Sequence, residues 1–185
     1  SEYNAIQRKK AAEKDAKIAL ETERKARIKA EQEANEQQQR EKNKSEYNNA
    51  LKTESIQDMA IYIHDYENLL GFNKDSYRKL GERIAKNRGL ELTEFLQLYL
   101  YSNPYNFRSD TCYYVSSLSV IQWLENGNLL ANLGGSAIHI SSAWNFQSIE
   151  GTIRHAYLMY LGTYEYIAVN RSVSVVPDFA LLYWF

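Results

Sequence analysis

Residues 2–47 read EYNAIQRKKAAEKDAKIALETERKARIKAEQEANEQQQREKNKSEY, a run of Ala, Glu, Lys, Arg and Gln with no Gly and no Pro. These residue types lose the least on entering a helix, so the stretch predicts one long helix. Residues 1–50 hold 22 of the 45 charged side chains of the 185-residue chain, whereas the last 75 residues hold six. The break separates an exposed, charged rod from a weakly charged remainder and sets the expected class as α+β. Three parts are expected: 1–50 as a long charged helix or coiled coil, 51–104 as a short helical region, and 105–185 as a small β domain.

Within the rod, Ala5, Ala12, Ala19 and Ala26 recur every seven residues, with Ile6 and Leu20 beside them and Ala16 and Ala30 four residues further on. Such a line fits a thin coiled-coil seam, because small side chains permit close approach of a partner helix. It equally fits a solvated helix supported by pairs at four-residue spacing such as Glu13–Lys17 and Glu21–Lys25. Both readings stay open at this level. Gln37–Gln39, Asn43, Asn48 and Asn49 predict a loosening before the next element.

The middle region carries apolar residues at steps of three and four. Ile56, Met59, Ala60, Ile63, Tyr66 and Leu70 form one face ahead of Gly71; Asn73 caps a second helix with Tyr77, Leu80 and Ile84, stopped at Gly89. Thr93 is expected to open a third, with Phe95, Leu96 and Tyr99, ended by Asn103 and Pro104. The string Leu80 to Arg88 superficially resembles the first helix of bacterial helix-turn-helix repressors. Leu90 to Tyr101 is nevertheless apolar and acidic where base-reading side chains belong.

From Cys112 the rhythm changes to short alternating runs: Tyr113–Leu124, Leu129–Leu133, Ser136–Trp144, Tyr157–Val169 and Ser172–Leu182. Asn126-Gly127, Gly134-Gly135 and Asn170-Arg171 are turn signals between them. Five strands in so short a span predict a small antiparallel β-barrel, SH3-like or OB-like. The pieces VIQWLENGNLLA (120–131) and GTYEYIAVNRSVSVVPDF (162–179) resemble strand-turn-strand pieces of SH3-like barrels from bacterial envelope proteins of unassigned role. The resemblance implies a barrel and a cell-envelope setting, and no catalytic motif comes with it.

Charge and motif content narrow the function classes. The net charge is −1, with +2 on residues 1–50 and −3 on the rest, so neither part carries the basic excess that nucleic acid requires. The single cysteine, Cys112, excludes an intrachain disulfide and a cysteine-rich zinc site. His64, His139 and His155 lack metal-pair spacing, and no phosphate loop is present, so no metal and no cofactor are expected. No apolar run is long enough to span a membrane as a helix.

A Cys112/His139 hydrolase is the one enzymatic reading available, set against a buried structural thiol and a strand histidine. Glu125, Glu150, Glu165 and Asp178 follow no spacing rule for a catalytic carboxylate pair, and the last two read as solubilising charges.

With 15 tyrosines in the chain, aromatic surface is the remaining resource. Tyr160, Tyr164 and Tyr166 alternate onto one face, and with Trp144, Trp184 and Phe185 they form the candidate interaction set of the β domain. The expectation is a non-enzymatic assembly protein that self-associates or binds a protein partner through Ala5, Ala12, Ala19 and Ala26 of the rod and through those aromatics. The rival is a glycan- or peptide-binding domain on a helical spacer.

Overall fold

Helix α1 runs unbroken over Glu2–Lys52 in a computed structural model that describes residues 2–95, 106–141, 151–153, 155–168 and 170–184. The Asn- and Gln-rich stretch does not loosen it. Asn43, Tyr47 and Ala50 are buried against the helices that follow, and that burial offsets the weak propensity of their neighbours. Helix α2 (Ile56–Tyr66) begins where Ser55 Oγ accepts the Asp58 N–H at 3.3 Å. Helix α3 (Asp75–Arg88) has Asn73 Oδ1 on the Asp75 N–H at 2.9 Å and ends at Gly89, left-handed with φ 68° as the stop signal requires.

The remainder is one sheet of eight strands: β1 (Glu91–Phe95), β2 (Thr111–Val115), β3 (Leu118–Trp123), β4 (Leu129–Leu133), β5 (Ser136–Ser141), β6 (Thr152–Ile153), β7 (Ala156–Ile167) and β8 (Val173–Trp184). Their spatial order is β1-β2-β7-β8-β5-β4-β3-β6. The β1–β2 and β5–β8 pairs are parallel and the others antiparallel.

The fold is therefore α+β with a long N-terminal helix, but the small closed antiparallel barrel is corrected to an open, mixed sheet. Its end strands, β1 and β6, do not pair with each other among the described residues. The physical reason is β8, which follows its hairpin with β7 and then lies parallel to β5, with His139 beside Asp178 and Ile140 beside Phe179, in a non-local contact that turn signals cannot announce.

Two further expectations change. Residues 91–95 are strand rather than helix: Glu91 and Leu92 align with Thr111 and Cys112, and Leu92 packs into the helical core, so tertiary pairing overrides a capping-like Thr93. The rest of that expected helix lies outside the described residues. The expected strand 113–124 is two strands, β2 and β3.

Alternation sorts the buried side chains into two cores. Tyr113, Val115, Leu118, Leu129, Ile138, Ile140, Leu158, Phe179 and Leu181 meet on one face of the sheet. On the other, Cys112, Tyr114 and Tyr157 pack with Tyr47, Met59, Ile63, Leu80 and Ile84, which is why every residue of β2 is buried. The helical layer lies very close to the sheet at Gly81, where a Cβ would fall 2.7 Å from Tyr157 Cε1 and 2.9 Å from both methyls of Leu92. Rod, helical layer and sheet thus share one core across the expected boundaries at residues 50 and 104.

Candidate functional site

The final turns of α1 are fastened to the head by buried polar groups. With its amide oriented so that Nδ2 donates to the Gly71 carbonyl and Oδ1 accepts from the Phe72 N–H, both at 3.2 Å, the fully buried Asn43 also donates to the Tyr62 hydroxyl. That hydroxyl accepts the Asn73 N–H at 3.2 Å, and Tyr47 donates to Asp75 at 3.2 Å. Gly71 has φ 87°, and its missing Cβ would lie 3.1 Å from the Cα of Arg40, so glycine serves both the turn and the close passage of α1.

Arg83, on α3, completes the anchor. Its Nη1 donates to Ser55 O at 2.7 Å, and its Nη2 donates to Ala50 O at 2.9 Å and Leu51 O at 3.0 Å. The guanidinium occupies the C-terminal end of α1, where a positive charge opposes the helix dipole and carbonyls lack intrahelical partners. An open groove of about 830 Å³ surrounds it, lined also by Glu54, Ile56, Lys79 and Lys86. Because its donors are committed to carbonyls, Arg83 is a structural floor of that groove rather than a ligand clamp.

Upstream of residue 39 the described part of α1 is exposed throughout. Ala5, Ala12, Ala19 and Ala26 all lie in this segment. So do large apolar side chains: Ile6 and Leu20 (69% exposed), already noted beside the alanine line, and Tyr3, Ile18 and Ile28, which that line did not single out. Ion pairs Glu21–Lys25 at 2.7 Å and Lys29–Glu33 at 3.6 Å run along it, both in water and each worth about 0.3–0.5 kcal/mol. At 1.5 Å per residue, the segment before Asn43 extends roughly 60 Å.

The sheet carries a polar cluster that sequence reading did not assemble. His139 is 1% exposed on β5; its Nδ1 lies 2.6 Å from Asp178 Oδ1, and Ser141 Oγ donates to the same oxygen at 2.9 Å. Nδ1 faces the carboxylate, and Nε2 is buried without a hydrogen-bond partner among the described residues.

Tyr164 stacks on the imidazole at 3.6 Å between centroids and 8° between planes. It gets there through a bulge in β7: Tyr160 pairs with Phe179 and Gly162 with Asp178, so the extra residue Leu161 turns the distal half of the strand over. Hence Tyr160 is a core residue, 6% exposed among Phe107 and Phe179, and not part of an exposed aromatic face. Tyr164, Tyr166 and Trp184 are half-buried, and Trp144 and Phe185 lie outside the described residues. The large hydrophobic side chains exposed on this hairpin are aliphatic instead: Leu161, Ile167, Val173 and Val175.

Ser141, His139 and Asp178 do not form a nucleophile relay. In such a relay the carboxylate holds one ring nitrogen while the other faces the nucleophile. Here Ser141 and Asp178 converge on Nδ1, with Ser141 Oγ 3.4 Å from it. Cys112 and His139 are not brought together either. Strands β7 and β8 separate β2 from β5, a span of roughly 14 Å at the usual inter-strand spacing.

Burial alone pushes the Cys112 thiol up from 9.0 to about 12. At neutral pH it is a thiol, not a nucleophilic thiolate. We expect Cys112 to resist iodoacetamide at pH 7.5 in the folded protein and to react in denaturant. The unfolded thiol ionises first, so the stabilisation tied to its neutral form is complete below pH 9 and disappears as pH rises towards 12. Urea titrations across pH 7–11 check this, and rapid native alkylation contradicts it.

A second polar junction joins helices to sheet. Glu67 Oε2 lies 2.8 Å from His155 Nε2 and accepts from Tyr77 at 3.0 Å, while Tyr114 OH lies 2.9 Å from His155 Nδ1. Both partners of the pair are largely buried, so this is a cross-layer brace. Among the described residues, no three His, Cys, Asp or Glu side chains converge as metal ligands, and no helix is long and apolar enough to cross a membrane.

Comparisons with protein-family models, curated proteins and solved structures return no match.

Proposed function

We propose that this chain is a non-enzymatic assembly protein whose projecting α1 engages protein, a partner or another copy, while the helical layer and sheet form the head that the rod carries. One observation supports the reading above the rest. Helix α1, 51 residues long, leaves five large apolar side chains in water between Tyr3 and Ile28 and is built into a buried polar anchor at its other end. Exposed isolated helices draw little stability from propensity alone, and a surface that buries its apolar residues on a partner supplies the missing term. The wiring of His139 and the burial of Cys112 favour this reading over the hydrolase. The finer comparison with SH3-like barrels rests on hairpins β3–β4 and β7–β8 and belongs to the proposal, as does a bacterial envelope setting.

The test compares wild type with an Ile18→Glu/Leu20→Glu variant, by light scattering and by retention of proteins from a source lysate. Both substitutions sit at exposed helix positions, so the head should keep its melting temperature within about 1 °C. Association, with itself or with retained proteins, should fall at least tenfold. Equal association by both proteins would overturn the role given to α1.

A further inference from the structure

Hairpin β7–β8 is longer than the sheet around it. On one side β2 pairs with β7 only as far as Met159, and on the other β5 meets β8 only at Asp178–Ala180. Residues 161–167 and 173–177 therefore continue as a two-stranded ribbon, and each strand has one edge that no described strand covers. The turn says where its backbone groups point. Ala168 N–H donates to Ser172 O at 2.9 Å, so by antiparallel alternation residues 162, 164 and 166 also address β8, while Thr163, Glu165 and Ile167 turn N–H and C=O outward.

The two edges are not alike. Pro177 lies opposite Thr163, so its missing N–H belongs to the outer edge of β8 and blunts it against further pairing. The outer edge of β7 has no Pro, no Lys and no Arg, and its one charge is Glu165. On the ribbon face that carries Thr163 and Glu165, the side chains of Leu161, Ile167 (76% exposed), Val173 and Val175 all stand exposed.

We infer that residues 161–167 of β7 accept an extended segment of a partner protein as an added antiparallel strand, apolar on the aliphatic face and basic beside Glu165. The contact is separate from α1 and does not need the rod. Each outward residue presents one donor and one acceptor at strand spacing, a row that another polypeptide backbone matches. Side chains of the added strand on the aliphatic face would neighbour Leu161 and Ile167, and the acidic edge selects a basic residue among them.

A second copy fits this edge poorly. Pairing all of 161–167 with itself puts a two-fold axis at Tyr164, and the copy's turn residues 170–172 then fall beside 156–158, where β2 already pairs. An axis at Glu165 sets two carboxylates against each other, and an axis at Tyr166 leaves only 165–167 in the pair.

The probe is an end-capped peptide, VTKTVTV, titrated into the isotope-labelled full chain to millimolar concentration and followed by amide NMR. Antiparallel to β7, it sets its lysine opposite Glu165 and its valines on the aliphatic face. Saturable shifts should centre on Thr163, Glu165 and Ile167. N-methylation of the third and fifth peptide residues, whose N–H groups would face β7, should weaken binding at least tenfold; N-methylation of the second and fourth should not. Thr163→Pro, which removes an N–H the hairpin does not use, should weaken binding as much, with a circular-dichroism melt to verify the fold. Glu165→Lys, an exposed change, should reject this probe and prefer the same peptide with glutamate in place of lysine.

Equal losses from both methylation patterns, shifts centred elsewhere, or no saturable binding would overturn strand addition. Concentration-dependent shifts at 163–167 without probe would give the edge to a second copy and overturn the partner. The Ile18→Glu/Leu20→Glu variant should bind the probe as wild type does, so failure at this edge leaves the role of α1 standing.

Discussion

Replacing Phe179 by Ala should cost the protein about 3–5 kcal/mol, the range for deleting a large ring from a core that cannot collapse to fill the space. Phe179 is fully buried on β8, between Ile140 of β5 and Tyr160 of β7. Its ring meets Phe107 at 5.3 Å, Tyr160 at 5.5 Å and Tyr113 at 6.5 Å, all steeply inclined as aromatic quadrupoles prefer. The remaining rings come from two strands, β2 and β7, and a preceding turn, and they cannot all close on the vacated volume because Tyr113 and Tyr160 are held by their strand ladders. In a protein of this size the loss should lower the melting temperature on the order of 10 °C. Phe179→Leu keeps most of the volume and should cost no more than about half as much. A loss below 1 kcal/mol for the alanine variant would mean that this position is not where the sheet's core is concentrated.

Removing the guanidinium with Arg83→Ala should cost about 2–4 kcal/mol. Three charge-assisted hydrogen bonds disappear together, and the carbonyls of Ala50, Leu51 and Ser55 are left in a part-buried site. The loss should also be local in its symptoms. Amide exchange should accelerate in residues 43–52, where the rod is fastened, before it accelerates in β7 or β8. Arg83→Lys separates geometry from charge: an ammonium keeps the favourable sign at the end of α1 but lacks the fork that reaches carbonyls of two segments, so it should recover under half of the loss. Full recovery by lysine would mean that the dipole term alone matters, and uniform acceleration of exchange would mean that the anchor is not a separate unit.

Much of the architecture was legible in the residues. Composition alone marks α1, three- and four-residue steps mark α2 and α3, and Gly134-Gly135 and Asn170-Arg171 mark the hairpins that join β4 to β5 and β7 to β8. Strand order was not legible, since nothing local in Ser136–Ser141 says that its second neighbour is a segment almost forty residues later.

The strand at 91–95 was hidden because ELTEF is short and its Thr93 also suits a helix start. Asn43 was hidden in a helix full of polar residues, where burial has no compositional signature. For the His139 cluster one signal existed: His139 and Ser141 are two apart on a strand and must share a face. Their meeting with Asp178 depends on the β5–β8 register, and the approach of Tyr164 depends on a bulge at Leu161, neither of which alternation encodes.

The order of strands in space also bears on when the protein can fold as it is made. Hairpin β7–β8 lies between β1-β2 on one side and β5-β4-β3-β6 on the other, and no other described strand bridges them. A ribosome that has released everything up to residue 155 has delivered both flanks of the sheet and none of the described strands that join them. The nascent chain must therefore wait with unsatisfied strand edges until β7 and β8, residues 156–184, emerge. A ribosome-stalled fragment ending just before β7 is then the species most exposed to misassociation and to chaperones, and completion of β8 is the event that commits the sheet.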